Sequence, residues 1–147
     1  MAVRYQLVID CADPDRLAHF WAAALHYEFA PAPAGFATWD DYWRDVGVDE
    51  SELGMGEDRI CDPASRGPDI WFQPVPEPKI IKNRLHLDIS VGGGREVPTE
   101  IRRQRVDAEA QRLSELGGSL TRALSEPGLD HYAVAMTDPE GNEFDIN

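Results

Sequence analysis

The sequence predicts an α+β protein built from two copies of one module, each a strand, a helix and three further strands. Three observations predict it. Two stretches alternate apolar and polar residues, Tyr5 to Cys11 and Leu85 to Val91. An amphipathic helical stripe follows each: Leu17, Phe20, Trp21, Ala24 and Leu25 in the first copy, Val106, Ala110, Leu113 and Leu116 in the second. An Asp-Pro turn with a glycine behind it then precedes the last strand of each copy: Asp62-Pro63 with Gly67, and Asp138-Pro139 with Gly141.

The bulk numbers set limits. A chain of 147 residues fits one domain, or two small half-domains sharing a core. Apolar residues make up 42%, enough for a packed interior. Twenty-seven acidic against fourteen basic residues give a net charge of −13, which phosphate backbones repel, so no nucleic-acid partner is expected. The basic cluster Arg102-Arg103-Gln104-Arg105 precedes Asp107 and Glu109 and reads as a solvated helix face. No apolar run approaches the roughly 20 residues of a membrane span. Met1-Ala2-Val3-Arg4-Tyr5 lacks the apolar stretch of a signal peptide, so a cytoplasmic protein is expected. Cys11 and Cys61 have no metal or redox spacing and read as two free, buried thiols.

In the first strand Tyr5, Leu7, Ile9 and Cys11 share one face; Gln6, Val8 and Asp10 share the other. Asp13 caps a helix and Pro14 opens it. His19 and His26, without companions at ligand spacing, read as surface residues. Tyr27 to Ala32 reads as a strand closed by Pro31, Pro33 and Gly35. A short helical insert follows near residues 39–48, with Trp39 and Trp43 on one face. These indoles fill core or an oligomer interface, or else form an aromatic lid over a pocket. Residues 49–56 are acidic and turn-like. Arg59 to Cys61 and Asp69 to Gln73 are strands, the latter with Ile70 and Phe72 on one face and Asp69, Trp71 and Gln73 on the other. Pro74, Pro76 and Pro78 make a stiff linker. The first module therefore occupies residues 1–78 and the second residues 79–147.

The second module opens with the strand Leu85 to Val91. Leu85, Leu87, Ile89 and Val91 form a face for a helix to cover; His86, Asp88 and Ser90 form the other. A glycine loop, Gly92-Gly93-Gly94, leads through residues 98–105, read as lead-in turns, to the helix around Val106. Gly117-Gly118 ends it. Strands follow at Ser119 to Leu124, His131 to Met136 (Tyr132, Val134 and Met136 on one face) and Glu143 to Ile146.

Four stretches, in this order, span nearly the whole chain: Val8 to Pro14 with Phe20-Trp21, Lys82 to Asp88, Val106 to Glu109 with Leu113 to Gly117, and Asp138 to Phe144. Together they resemble the vicinal oxygen chelate superfamily of glyoxalase I, bleomycin-resistance proteins and extradiol dioxygenases, most closely its small glyoxalase-like domain proteins. The resemblance implies two βαβββ modules with curved mixed sheets around a shared cleft and helices on the outside. It also implies a homodimer, for which Trp39, Tyr42 and Trp43 offer spare apolar area. In metal-dependent members the first and last strands of each module carry the ligands. Those positions correspond here to Gln6, Trp71, His86 and Asp145, with Gln73 two residues beyond Trp71 on the same face. His86 is a good ligand, Asp145 an acceptable one and Gln6 a weak one; an indole does not ligate. Asp10 and Asp88 lie two or four residues from a ligand position.

The function this implies is binding of a small organic molecule without a firmly held metal. Trp71 would stack on it, Trp39 or Tyr42 would close over it, and Gln6, His86 and Asp145 would orient it, with Asp10, Gln73 and Asp88 nearby. The alternative is a lyase, isomerase or dioxygenase holding Ni, Zn, Mn or Fe on His86, Asp145 and Gln6, with Gln73 in reserve. A third reading is a ligand-free module whose cleft Trp71 plugs.

Overall fold

In the computed structural model, which describes residues 3–147, β1 (Gln6–Cys11) sends Leu7, Ile9 and Cys11 inward and leaves Gln6, Val8 and Asp10 exposed. Met1 and Ala2, the start of the N-terminal stretch read above, lie outside the described residues. The chain divides into two compact units, one ending at Pro78 and the other running Lys79–Asn147.

In the first unit Asp13 caps α1 (Pro14–Leu25) by accepting the Arg16 N–H at 3.0 Å, and Pro14 spends no donor at the first turn. The helix buries Leu17, Phe20 and Trp21, each worth roughly 1.5–3 kcal/mol. It ends at His26, which takes the left-handed conformation. Next come β2 (Glu28–Phe29), α2 (Trp39–Asp45), a single 3-10 turn (Glu50–Glu52), β3 (Arg59–Cys61) and β4 (Asp69–Pro74). The sheet order is β1-β4-β3-β2, with β1 and β4 parallel and the other pairs antiparallel. α1 packs on the face that carries Ile60, Ile70 and Phe72.

The second unit repeats the plan: β5 (Asp88–Ile89), α3 (Thr99–Glu115), β6 (Ser119–Leu124), β7 (Ala133–Thr137) and β8 (Glu143–Ile146). Its order is β5-β8-β7-β6, with β5 and β8 parallel. Val106, Ala110 and Leu113 of α3 are buried, as are Ile89, Val134, Met136, Phe144 and Ile146 of the sheet. Each unit is thus a βαβββ module, with α1 or α3 packed on the apolar face of its sheet. The two Asp-Pro turns close alike. Asp62 accepts the backbone N–H groups of Ala64, Arg66 and Gly67, and Asp138 those of Glu140 and Asn142.

Several elements differ from the sequence reading. The strand expected from Leu85 to Val91 pairs only at Asp88–Ile89, and Leu85, expected under a helix, is 81% exposed. Contact with the β8 backbone reaches back only to Leu87 O, and further upstream a side chain takes over: Asn83 N–H donates to Glu143 Oε2 at 2.9 Å. β2 is two residues long because Pro31 and Pro33 cut its pairing short. Residues 99–105 already belong to α3. Tyr132 precedes β7, and its hydroxyl donates to Asp107 of α3 at 2.5 Å. The basic cluster is not simply solvated. Arg102 donates to Val97 O, Thr99 and Asp130, Arg105 to Gly92 O, and Arg103 lies over Tyr132. Of the two thiols Cys11 is buried, while Cys61 is only partly so. Among the described residues no helix is long and apolar enough to cross a membrane.

Candidate functional site

Alternation puts Glu143 and Asp145 of β8, and Asp88 of β5, on the face of the second sheet that α3 leaves free. The parallel register sets Asp88 opposite Asp145. Asp145 N–H donates to Leu87 O at 3.0 Å, which draws the preceding loop onto the same edge. His86 therefore arrives beside both acids. Its Nε2 lies 3.3 Å from Asp88 Oδ1 and 3.7 Å from Asp145 Oδ2. One donor atom from each of the three side chains lies within 4.8 Å of the others. His86 and Asp88 are exposed and Asp145 half-buried, so the group opens to solvent.

The donor chemistry fits a divalent ion. Imidazole nitrogen and carboxylate oxygen bind Zn at about 2.0–2.2 Å, which sets tetrahedral donors roughly 3.5 Å apart. The two His86 separations, 3.3 and 3.7 Å, bracket that spacing. Asp88 joins the group although counting from the resemblance set it off a ligand position. The signal was in the sequence: His86 and Asp88 are two apart on an alternating stretch.

The loop that carries His86 is held by polar contacts. Ile80, Ile81 and Leu85 are exposed and contribute little packing. Glu143 Oε2 accepts from Asn83 N–H and lies 3.2 Å from Lys79 Nζ, which also donates to Ile81 O. The Asn83 N–H, with Lys79 assisting, holds the Glu143 carboxyl down to about 2.

Gln6, Asp10, Trp71 and Gln73 belong to the first unit. Gln6 is opposite Asp69, Val8 opposite Trp71 and Asp10 opposite Gln73, so all four candidates lie on the face away from α1. Trp71 already has partners. Its Nε1 donates to Asp58 Oδ2 at 3.1 Å, and the Arg59 guanidinium lies 5.0 Å from its ring centroid. That guanidinium is also 4.5 Å from the Trp39 ring and 5.2 Å from the Trp43 ring. α2 thus lays its indoles over this face, fixed by a capping box between Thr38 and Asp41. Trp39 and Trp43 are stacked with each other and half-buried. Asp58 pairs with Arg59 at 2.7 Å; burial pushes its carboxyl up, and Arg59 opposes that shift. The aromatic pattern pointed to Trp39, Trp43 and Trp71, but nothing local marks Asp58 and Arg59 as what joins them.

A βαβββ repeat with acids and a histidine on a free sheet face defines a class, and the comparisons name it. The family model described as Glyoxalase-like domain matches residues 6–147, so the chain belongs to that family and with it to the vicinal oxygen chelate superfamily. Among solved structures, the fosfomycin resistance protein FosX from Listeria monocytogenes matches with a TM-score of 0.60 at 9% identity, over 99% of this chain and 92% of that one. A mutant of that FosX complexed with Mn(II) and 1S,2S-dihydroxypropylphosphonic acid gives 0.61 at 9%, over 100% and 92%. A glyoxalase/bleomycin resistance protein/dioxygenase family enzyme from Burkholderia phytofirmans PsJN gives 0.58 at 16%, over 97% and 94%. These identities establish likeness of fold alone. No curated protein matches the sequence.

Proposed function

We propose that this chain is a metal-dependent enzyme of the glyoxalase type that binds a small, oxygen-bearing organic molecule at a divalent ion held by His86, Asp88 and Asp145. The convergence of these three donors carries the reading. With His86 and Asp145 alone a metal would be weakly held; Asp88 supplies a third protein ligand, and the solvent-facing side leaves coordination positions for a substrate. A bound ion would polarise substrate oxygens as a Lewis acid. The chain's own part is to orient the donors: Asp145 N–H holds Leu87 O, and the acids flank the imidazole. The Mn(II) in the FosX complex makes manganese the first ion to test. Metal-free stacking on Trp71 has less support, because Asp58 and Arg59 already engage that indole.

The test is calorimetric titration of Mn(II), Zn(II) and Ni(II) into protein purified without chelator. One equivalent is expected to bind to the wild type, with affinity falling at least about tenfold in His86→Ala and Asp145→Asn, as for loss of one ligand in three. Equal affinity in wild type and both variants would return the chain to the metal-free reading. The proposal includes pairing of two copies into a homodimer; sedimentation at the mass of one 16.4 kDa chain would count against it.

A further inference from the structure

β6 does not run evenly along β7. Ser119 is opposite Thr137 and Leu120 opposite Met136, but Arg122, not Thr121, is opposite Ala135. Thr121 is therefore the extra residue of a β-bulge. With unbroken pairing Arg122 would fall opposite Val134, which is buried under α3. The bulge moves it to the other face. Ala135 is opposite Asp145, and Asp145 opposite Asp88. One row across the sheet thus reads Asp88, Asp145, Ala135, Arg122, and residues opposite one another share a face. Two strand spacings put the Arg122 backbone about 10 Å from that of Asp145. The β7 residues on this face, Ala133, Ala135 and Thr137, are all small.

Arg122 is exposed, and among the described residues it makes no ion pair and no side-chain hydrogen bond. The acids of the adjoining strands have partners: Asp88 and Asp145 face His86, and Glu143 holds Lys79 and Asn83. In a chain of net charge −13, a bulge that turns a guanidinium onto the metal-binding face across a floor of small side chains needs a reason. A guanidinium pairs well with carboxylate or phosphoryl oxygens.

We infer that Arg122 is the specificity-determining residue of this site and that the substrate is a small organic anion, with one end at His86, Asp88 and Asp145 and its oxyanion on Arg122. The metal end of this inference rests on the function proposed above; the anion end does not.

Binding of succinate, 3-phosphonopropionate and neutral succinamide is measured by calorimetry, with and without Mn(II), on wild type, Arg122→Gln, Arg122→Lys and the surface control Arg16→Gln. At least one anion is expected to bind wild type about tenfold or more tightly than succinamide. Arg122→Gln should remove that advantage, the scale of one lost charge-assisted hydrogen bond. Arg122→Lys should restore part of it, and Arg16→Gln should keep it. Mn(II) affinity should not change in Arg122→Gln. The preferred anion tells carboxylate from phosphonate. If wild type binds anions through Arg122 but takes up no Mn(II), the inference stands and the metal reading falls. Equal anion affinity in wild type and Arg122→Gln, or no anion binding by wild type, overturns the inference.

Discussion

Asp145 engages the loop of His86 twice: its N–H donates to Leu87 O at 3.0 Å, and its Oδ2 lies 3.7 Å from His86 Nε2. The backbone contact does not use the carboxylate, so Asp→Asn variants test ligation with the loop still tied.

Under the proposed function, Asp88 is the donor that would make a three-ligand site out of a two-ligand one. Asp88→Asn should fold normally, since the side chain is exposed, yet lower Mn(II) affinity by about tenfold or more. Free Mn(II) counted by electron paramagnetic resonance reads this directly. Wild-type affinity in Asp88→Asn would remove Asp88 from the ligand set.

Glu143 holds the start of the same loop through Asn83 N–H and Lys79. Glu143→Ala should cost about 1 kcal/mol in urea unfolding, the net scale of such a hydrogen bond. It should also speed hydrogen exchange at the Asn83 amide. Glu143→Gln keeps an acceptor and should lie between. Unchanged exchange at Asn83 would mean that something else fixes the loop.

Arg59 ties three indoles to Asp58. Arg59→Ala should destabilise the first unit by about 2 kcal/mol, from lost cation–π contacts and an unpaired, partly buried Asp58. Tryptophan emission should shift to the red as the rings become wetter. Arg59→Lys keeps charge but not planarity and should recover only part of the loss. A cost below about 0.5 kcal/mol, the scatter of ordinary surface changes, would show that α2 does not depend on Arg59.

The Asp62 carboxyl is held below the usual carboxylate range by the N–H groups of Ala64, Gly67 and Arg66. A lowered folded-state pKa gives stability that is present above the unfolded value, about 3.9, and is lost as pH falls through the folded value. Asp62→Ala should therefore be less stable than wild type at pH 6, and the gap should narrow as pH falls below about 4. Thermal midpoints across that range measure it; a gap that widens on acidification would contradict the assigned sign.

Legibility in the sequence followed the range of the interaction. Leu17, Phe20 and Trp21 mark the buried face of α1 because helical spacing alone aligns them. Asp62 and Asp138 mark their turns because each side chain bonds backbone within five residues. His86 and Asp145 were named from the family's ligand positions, and Asp88 entered as a neighbour. Leu85 misled: its alternation suits a strand, but a strand also needs a partner backbone, and two residues upstream Glu143 offers Asn83 a side chain instead.

By itself the sequence determined the βαβββ repeat, the buried stripes of α1 and α3, and the apolar faces of β1 and β4, because those follow from the periodicity of neighbouring residues. Only the tertiary structure decided that Asp88 closes on His86 and Asp145, that Arg59 occupies the indoles of the first unit, and that Arg122 turns to the free face. Each of these depends on pairing between elements: β5 with β8 for Asp88, β3 with β4 and α2 for Arg59, and β6 with β7 for Arg122. Register is set by backbone hydrogen bonds to the partner strand, and one extra residue, Thr121, changes which face Arg122 occupies without any mark in the local pattern.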